Sequence, residues 1–104
     1  IREKKNYIKV IIYNHKPIGM FTNYINEDGD DFIDLFYIDK VYQGNGIGTQ
    51  ILKEQLLVDK KSNVDTILQV FKENPAKKLD EKVGFKENDE TDTHYKMIKK
   101  IKEE

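Results

Sequence analysis

The sequence predicts an α/β domain with a mixed sheet and the element order βββαβαββ. Two observations carry most of that prediction. Three runs rich in β-branched and aromatic residues come first, and from Ile47 to about Lys61 the apolar spacing changes to three and four residues. A short apolar run, Thr66 to Phe71, then precedes a second helical stretch between Asn74-Pro75 and Gly84. A strand, helix and strand in succession call for a right-handed parallel crossover, so an antiparallel beginning must join a parallel pair.

The first two strands are YIKVIIY (Tyr7 to Tyr13) and IGMFTNYIN (Ile18 to Asn26), joined as a hairpin through Asn14-His15-Lys16-Pro17, which has turn chemistry. Glu27-Asp28-Gly29-Asp30 is a second polar turn. FIDLFYID (Phe32 to Asp39) follows as a third strand, almost continuously apolar and so expected to be covered on both faces. Asp34 is its one internal acid, expected on the same strand face as Phe32, Phe36 and Ile38, where it is costly to bury without a role or a partner such as a Lys. In the first helix Ile51, Leu52, Gln55, Leu56 and Val58 form the inward stripe. Asn74 is an N-cap with Pro75 at the first helical position, and Gly84 ends that helix. Phe85 to Glu87 and His94 to Lys100 close the sheet around the polar Asn88 to Thr93 turn. No linker or repeat interrupts residues 1–104, which read as a single domain.

With 18 Lys+Arg against 19 Asp+Glu the net charge is -1, which argues against a nucleic-acid or membrane-surface partner. No apolar run is long enough to span a bilayer and no secretory leader opens the chain, so a cytoplasmic location is expected. The absence of Cys removes disulfides, zinc thiolates and a cysteine acyl-enzyme. A single Ser62 and two distant histidines, His15 and His94, make a serine hydrolase or a metal site a poor fit. Pairing into a homodimer stays open.

Gln43-Gly44-Asn45-Gly46-Ile47-Gly48 lies between the third strand and the first helix, where open α/β sheets bind anionic ligands. Glycines there let backbone approach a phosphate, with free N–H groups and about half a positive charge of helix dipole behind them. A dinucleotide fingerprint would need glycine at Thr49, and a nucleoside triphosphate loop would need Lys after Gly48, so neither NAD nor ATP is indicated.

QGNGIG resembles the Gln/Arg-x-x-Gly-x-Gly/Ala loop of the GCN5-related N-acetyltransferases (GNAT), which bind the pyrophosphate of acetyl-CoA. IDLFYIDKVYQGNGIGTQIL is similar to that family's fourth strand, loop and third helix, NPAKKLDEKVGF to its Asn-Pro-Ala helix, and ETDTHYKM to the last strand of small bacterial members. The resemblance covers roughly residues 7 to 100. It lacks a first strand and two helices that usually precede the strand at Tyr7; the start at Ile1 rather than Met agrees with an expectation that this N-terminal part is missing.

The resemblance implies transfer of an acetyl group from acetyl-CoA to a primary amine by direct attack. Backbone amides from Gln43 through Gly44, Asn45, Gly46, Ile47 and Gly48 to Thr49 would hold the pyrophosphate, and Phe36, Tyr37 and Ile38 would pair with the pantetheine arm. Asn74 has both a cofactor contact and a helix cap open to it. Asp34 stands where similar enzymes carry a Glu that deprotonates the acceptor, a step that an alkylammonium with pKa near 10.4 requires. Asp80 stands where the family has a Tyr that protonates the departing thiolate; an ionised Asp cannot donate, so Tyr95 or Tyr37 would substitute. His94, at the start of the last strand, has a base and a surface or capping role open to it, and the surface or capping role is the one expected. A weakened relative that senses acyl-CoA, and a plain interaction domain, remain alternatives.

Overall fold

The computed structural model describes residues 7–101, in which β1 (Tyr7–Tyr13), β2 (Lys16–Ile25) and β3 (Asp31–Ile38) form an antiparallel meander. The hairpin turn is tighter than expected. Only Asn14 and His15 form it, at φ 49° and 67°, a left-handed pair whose twist suits a two-residue connection. Lys16 and Pro17 already belong to β2, where Pro17 sits opposite Ile12 beside a break in register.

α1 (Ile47–Lys61) carries the chain to β4 (Thr66–Phe71), which lies parallel to β3; α2 (Ala76–Lys82) leads to β5 (Lys86–Glu90) and β6 (His94–Lys99). The sheet order is β1-β2-β3-β4-β6-β5, so the last strand inserts between β4 and β5. Both helices pack on one face. Leu52 of α1 is fully enclosed with Phe21, Ile33, Leu68 and Met97, and Leu79 and Val83 of α2 lie against the same cluster. β3 is not covered on both faces within the described residues. Leu35 and Tyr37, with Ile8, Val10 and Ile12 of β1, are exposed on the opposite face, so its continuous apolarity is not matched by cover on both sides.

The inward stripe of α1 includes two polar residues as well as Leu52: Gln55 and Asp59 are buried, whereas Val58 is half exposed. Asp59 meets Asp31 of β3 in a hydrogen-bonded cluster. Asn23 Nδ2 donates to Asp31 Oδ1 (2.9 Å), Gln55 Nε2 to Asp31 Oδ2 and Asp59 Oδ1 (both 3.1 Å), and the Thr66 hydroxyl to Asp59 Oδ2 (2.6 Å). Burial, then hydrogen bonding to the neighbouring Asp31 carboxyl, pushes Asp59 up to about 7. The folded state therefore binds a proton that the unfolded chain has released, and stability is lost as pH rises from about 4 through 7, by on the order of a few kcal/mol. Asp59→Asn imitates the protonated acid. Its melting temperature should exceed wild type at pH 8 by several degrees and match it at pH 5; an equal difference at both pH values would refute the shared proton.

Candidate functional site

Strands β3 and β4 pair only over Asp31–Ile33 and Thr66–Leu68. Beyond that point β3 continues against β2 and β4 against β6, so the two strands part and leave a cleft in the middle of the sheet. Asp34 is at the vertex. Thr22 opposes Leu35 and Asn23 opposes Ile33, which leaves Asp34 as an extra residue on β3, a bulge that bends the strand. The expectation that Asp34 shares a face with Phe32, Phe36 and Ile38 is corrected by this bulge: its carboxylate is exposed, and it opens onto the cleft.

The cleft has a volume of about 300 Å³. Asp34, Leu35 and Phe36 form one bank, Gln69, Val70 and Phe71 the other, and Asn74, Ala76 and Asp80 come from the α2 segment. Among the described residues no lysine or arginine lines it. From Leu35 to Ile38 the edge of β3 that faces away from β2 has no strand partner among the described residues, so the backbone there, at Phe36 above all, is open toward the cleft, while Ile38 O is taken by the Gln43 side chain.

The glycine loop adjoins this cleft through Phe36. A Cβ built on Gly48 would lie 3.6 Å from Phe36 Cζ and 3.4 Å from Ile38 Cδ1, ordinary contact distances, so this third glycine admits alanine. Gly44 and Gly46 differ from it. Their φ values are 85° and 81°, and a Cβ on either would meet nothing within 4 Å, so their need is conformational and the space in front of them is open. No backbone amide from Gly44 to Thr49 donates to another described group; the first helical bond is Gln50 N to Gly46 O (3.0 Å). Gln43 is the exception to the predicted set. Its amide donates to Lys40 O (3.1 Å) and its Nε2 to Ile38 O (2.7 Å), which ties the loop to the end of β3.

At Asn74 the cap is real: Oδ1 accepts from Ala76 N (2.9 Å), which leaves the amide Nδ2 for the cleft that Asn74 lines. Lys77 is engaged, paired with Glu87 at 2.8 Å and set 3.8 Å over the Tyr95 ring. Tyr95 lies on the helix face and does not line the cleft. The Tyr37 hydroxyl donates to Asp39 Oδ1 (2.6 Å), which raises its pKa, and it too lies outside the cleft.

Asp80 departs most from its sequence expectation. It is 5% exposed, has no hydrogen bond or ion pair to its carboxyl among the described residues, and lines the cleft. Burial first, then the nearby Glu81 charge, pushes it up to about 7. The premise that it is ionised and unable to donate at neutral pH is corrected accordingly. A signal was present in the sequence, since Asp80 follows Ala76 by four residues and precedes Val83 by three, which places it on the apolar stripe of α2. His94, expected at the surface or as a cap rather than as a base, lines the cleft beside Phe71, its partner in register.

Comparison with known proteins follows the same lines. The family described as "Acetyltransferase (GNAT) domain" matches residues 4–87. Two curated relatives align over 85 residues, 77% of this chain and 56% of theirs: "Probable spermine N(1)-acetyltransferase" of Bacillus subtilis subsp. natto at 37% identity, and "Spermine/spermidine N(1)-acetyltransferase" of Bacillus subtilis strain 168 at 35%. The chain thus spans little more than half the length of those relatives. Among solved structures, PaiA N-acetyltransferase from Thermoplasma acidophilum, in complex with coenzyme A, superposes with TM-score 0.81 at 23% identity, covering 91% of this chain and 60% of that one. A GNAT family acetyltransferase from Elizabethkingia anophelis with acetyl-CoA bound gives 0.80 at 17%, covering 91% and 76%. At those identities the likeness is one of fold. With the family match extending over most of its length, this chain is a member of the GNAT acetyltransferase domain family.

Proposed function

We propose that this chain transfers the acetyl group of acetyl-CoA to a primary amine of the aliphatic polyamine class. The observation that carries this reading is the cleft itself, whose one bank is an unpaired β3 edge and whose neighbour is a loop with free amides. An extended arm carrying amide groups can add to that edge as another strand would, while the loop amides and the α1 dipole hold its phosphates. The relatives' names supply the acceptor class. The cleft suits a cation, because Asp34 opens onto it and no lysine or arginine among the described residues does.

Asp34 attracts the acceptor ammonium. The amine, once neutral, attacks the thioester carbonyl carbon as the C–S bond breaks, and the sulfur leaves with its electron pair. Asp80, with a pKa of about 7, holds a proton for that sulfur, and Asn74 Nδ2 and the β3 backbone orient the arm. Thiolate is a tolerable leaving group even without full protonation, so the proton is worth less here than for an alkoxide.

Titration of CoA, together with thiol release from acetyl-CoA in the presence of spermidine, tests the reading. Binding and turnover are expected; CoA binding with no thiol release for any polyamine would sink the transferase assignment. Asp80→Asn should lower single-turnover rates about tenfold at pH 6.5. Because the donor is lost as pH rises through 7, the gap should narrow by pH 8.5. A gap that is constant with pH would remove Asp80 from the proton path.

A further inference from the structure

The described residues along the cleft include one imidazole, that of His94, and nothing in the polyamine reading uses it. His94 opens β6, and the strand alternates: Tyr95 and Met97 pack toward the helices, so His94 and Lys96 project to the other face of the sheet. Asp80, on α2, reaches the cleft from the helix side. The cleft therefore has a carboxyl on one side of the sheet and an imidazole on the other. His94 is also held in place. Its ring lies against Phe71, centroids 4.1 Å apart and planes 36° apart, and its Nδ1 is 2.8 Å from Thr93 Oγ1. The turn beneath it is fixed by His94 N donating to Thr91 Oγ1 (3.0 Å). Nε2 has no partner among the described residues.

We propose that His94 Nε2 is the proton acceptor for the amine substrate, at the mouth of the cleft opposite Asp80, an inference that rests on the transferase reading above. In the tautomer with hydrogen on Nδ1, Thr93 Oγ1 accepts that hydrogen and the Nε2 lone pair is free. Asp34 then serves as the anionic anchor and His94 as the base, since Thr93 and Phe71 hold the imidazole in place with Nε2 left to accept a proton. The ammonium gives up two protons in all. One passes to Nε2 and on to water; the amine lone pair forms the C–N bond as the C–S bond breaks, and the second proton leaves nitrogen as the amide forms, replacing the one that Asp80 gives to sulfur. Phe71, 59% exposed, adds an aromatic face beside the base over which an alkylammonium can pass.

The charged groups that share the cleft with His94 are Asp34 from β3 and Asp80 from α2; Lys96 stands two residues along its own strand face, and the adjoining turn carries Asp92. The test is acetyl transfer to spermidine by His94→Gln and His94→Ala across pH 6.5 to 9.5, with CoA affinity measured in parallel. CoA affinity within twofold of wild type, kcat/KM at least tenfold lower at pH 7, a loss that shrinks by pH 9.5 as the amine deprotonates itself, and partial rescue of His94→Ala by added imidazole are expected. Rates within twofold of wild type at every pH would overturn the proposal. So would an equal loss at all pH values without rescue, which marks a packing role. A wild-type chain that binds CoA and transfers nothing would overturn the parent reading and this one with it.

Discussion

Gly46→Asp is expected to lose CoA binding by 100-fold or more, the largest ligand effect that a single substitution in this chain should produce. Gly46 sits at φ 81° at the start of α1, with open space before it and unbonded amides on either side. A carboxylate there would face the phosphates that the amides are placed to hold. Like charges a few ångströms apart near a protein surface repel by about 2 to 4 kcal/mol, and each 1.4 kcal/mol is about tenfold in affinity. Backbone strain alone is the competing explanation, and Gly46→Asn isolates it, because Asn enters the left-handed region readily and carries no charge. Calorimetry should show Asn within about tenfold of wild type and Asp far weaker. Equal losses in the two variants would mean that conformation matters and the anion site does not.

Gly19→Ala is expected to cost the most stability. Gly19 pairs with Ile38 across β2 and β3, and a Cβ on it would lie 2.1 Å from the Tyr37 carbonyl oxygen and 3.1 Å from Ile38 Cα. Those are backbone atoms, so no side-chain rotation relieves the clash, and the two strands must separate where β3 borders the glycine loop. Overpacking of this severity costs about 3 kcal/mol or more, which for a domain of this size lowers the melting temperature by about 15 °C. Gly29→Ala provides the contrast: φ is 83°, a Cβ would meet nothing within 4 Å, and the cost is the left-handed conformation alone, about 1 to 2 kcal/mol. Circular dichroism melts of the two variants measure the difference. A melting temperature for Gly19→Ala at or above that of Gly29→Ala would show that β2 and β3 can reseat, and the close approach would carry no weight.

Element order and type were legible from residue pattern, because both arise from interactions within a few residues. α1 spans Ile47–Lys61 and β4 spans Thr66–Phe71 where the spacing of apolar residues places them, and the Asn74 cap forms as its chemistry requires. The loop from Gly44 to Gly48 was readable for the same reason, since φ values of 85° and 81° call for glycine at its first two glycine positions. What tertiary structure decided is the environment of each ionisable group. Asp34 looked like a strand residue facing Phe32 and Phe36, but the register of β2 against β3 makes it a bulge, a property of two strands together. Asp59 is an unusual acid only because α1 brings it against Asp31, twenty-eight positions earlier in the chain. Asp80 differs from an ordinary carboxylate chiefly because α2 seats it in the cleft wall, and His94 reaches that cleft because β6 inserts next to β4. Periodicity says which face a residue takes; desolvation and the nearest charge, which set whether it holds a proton, come from segments far away in sequence.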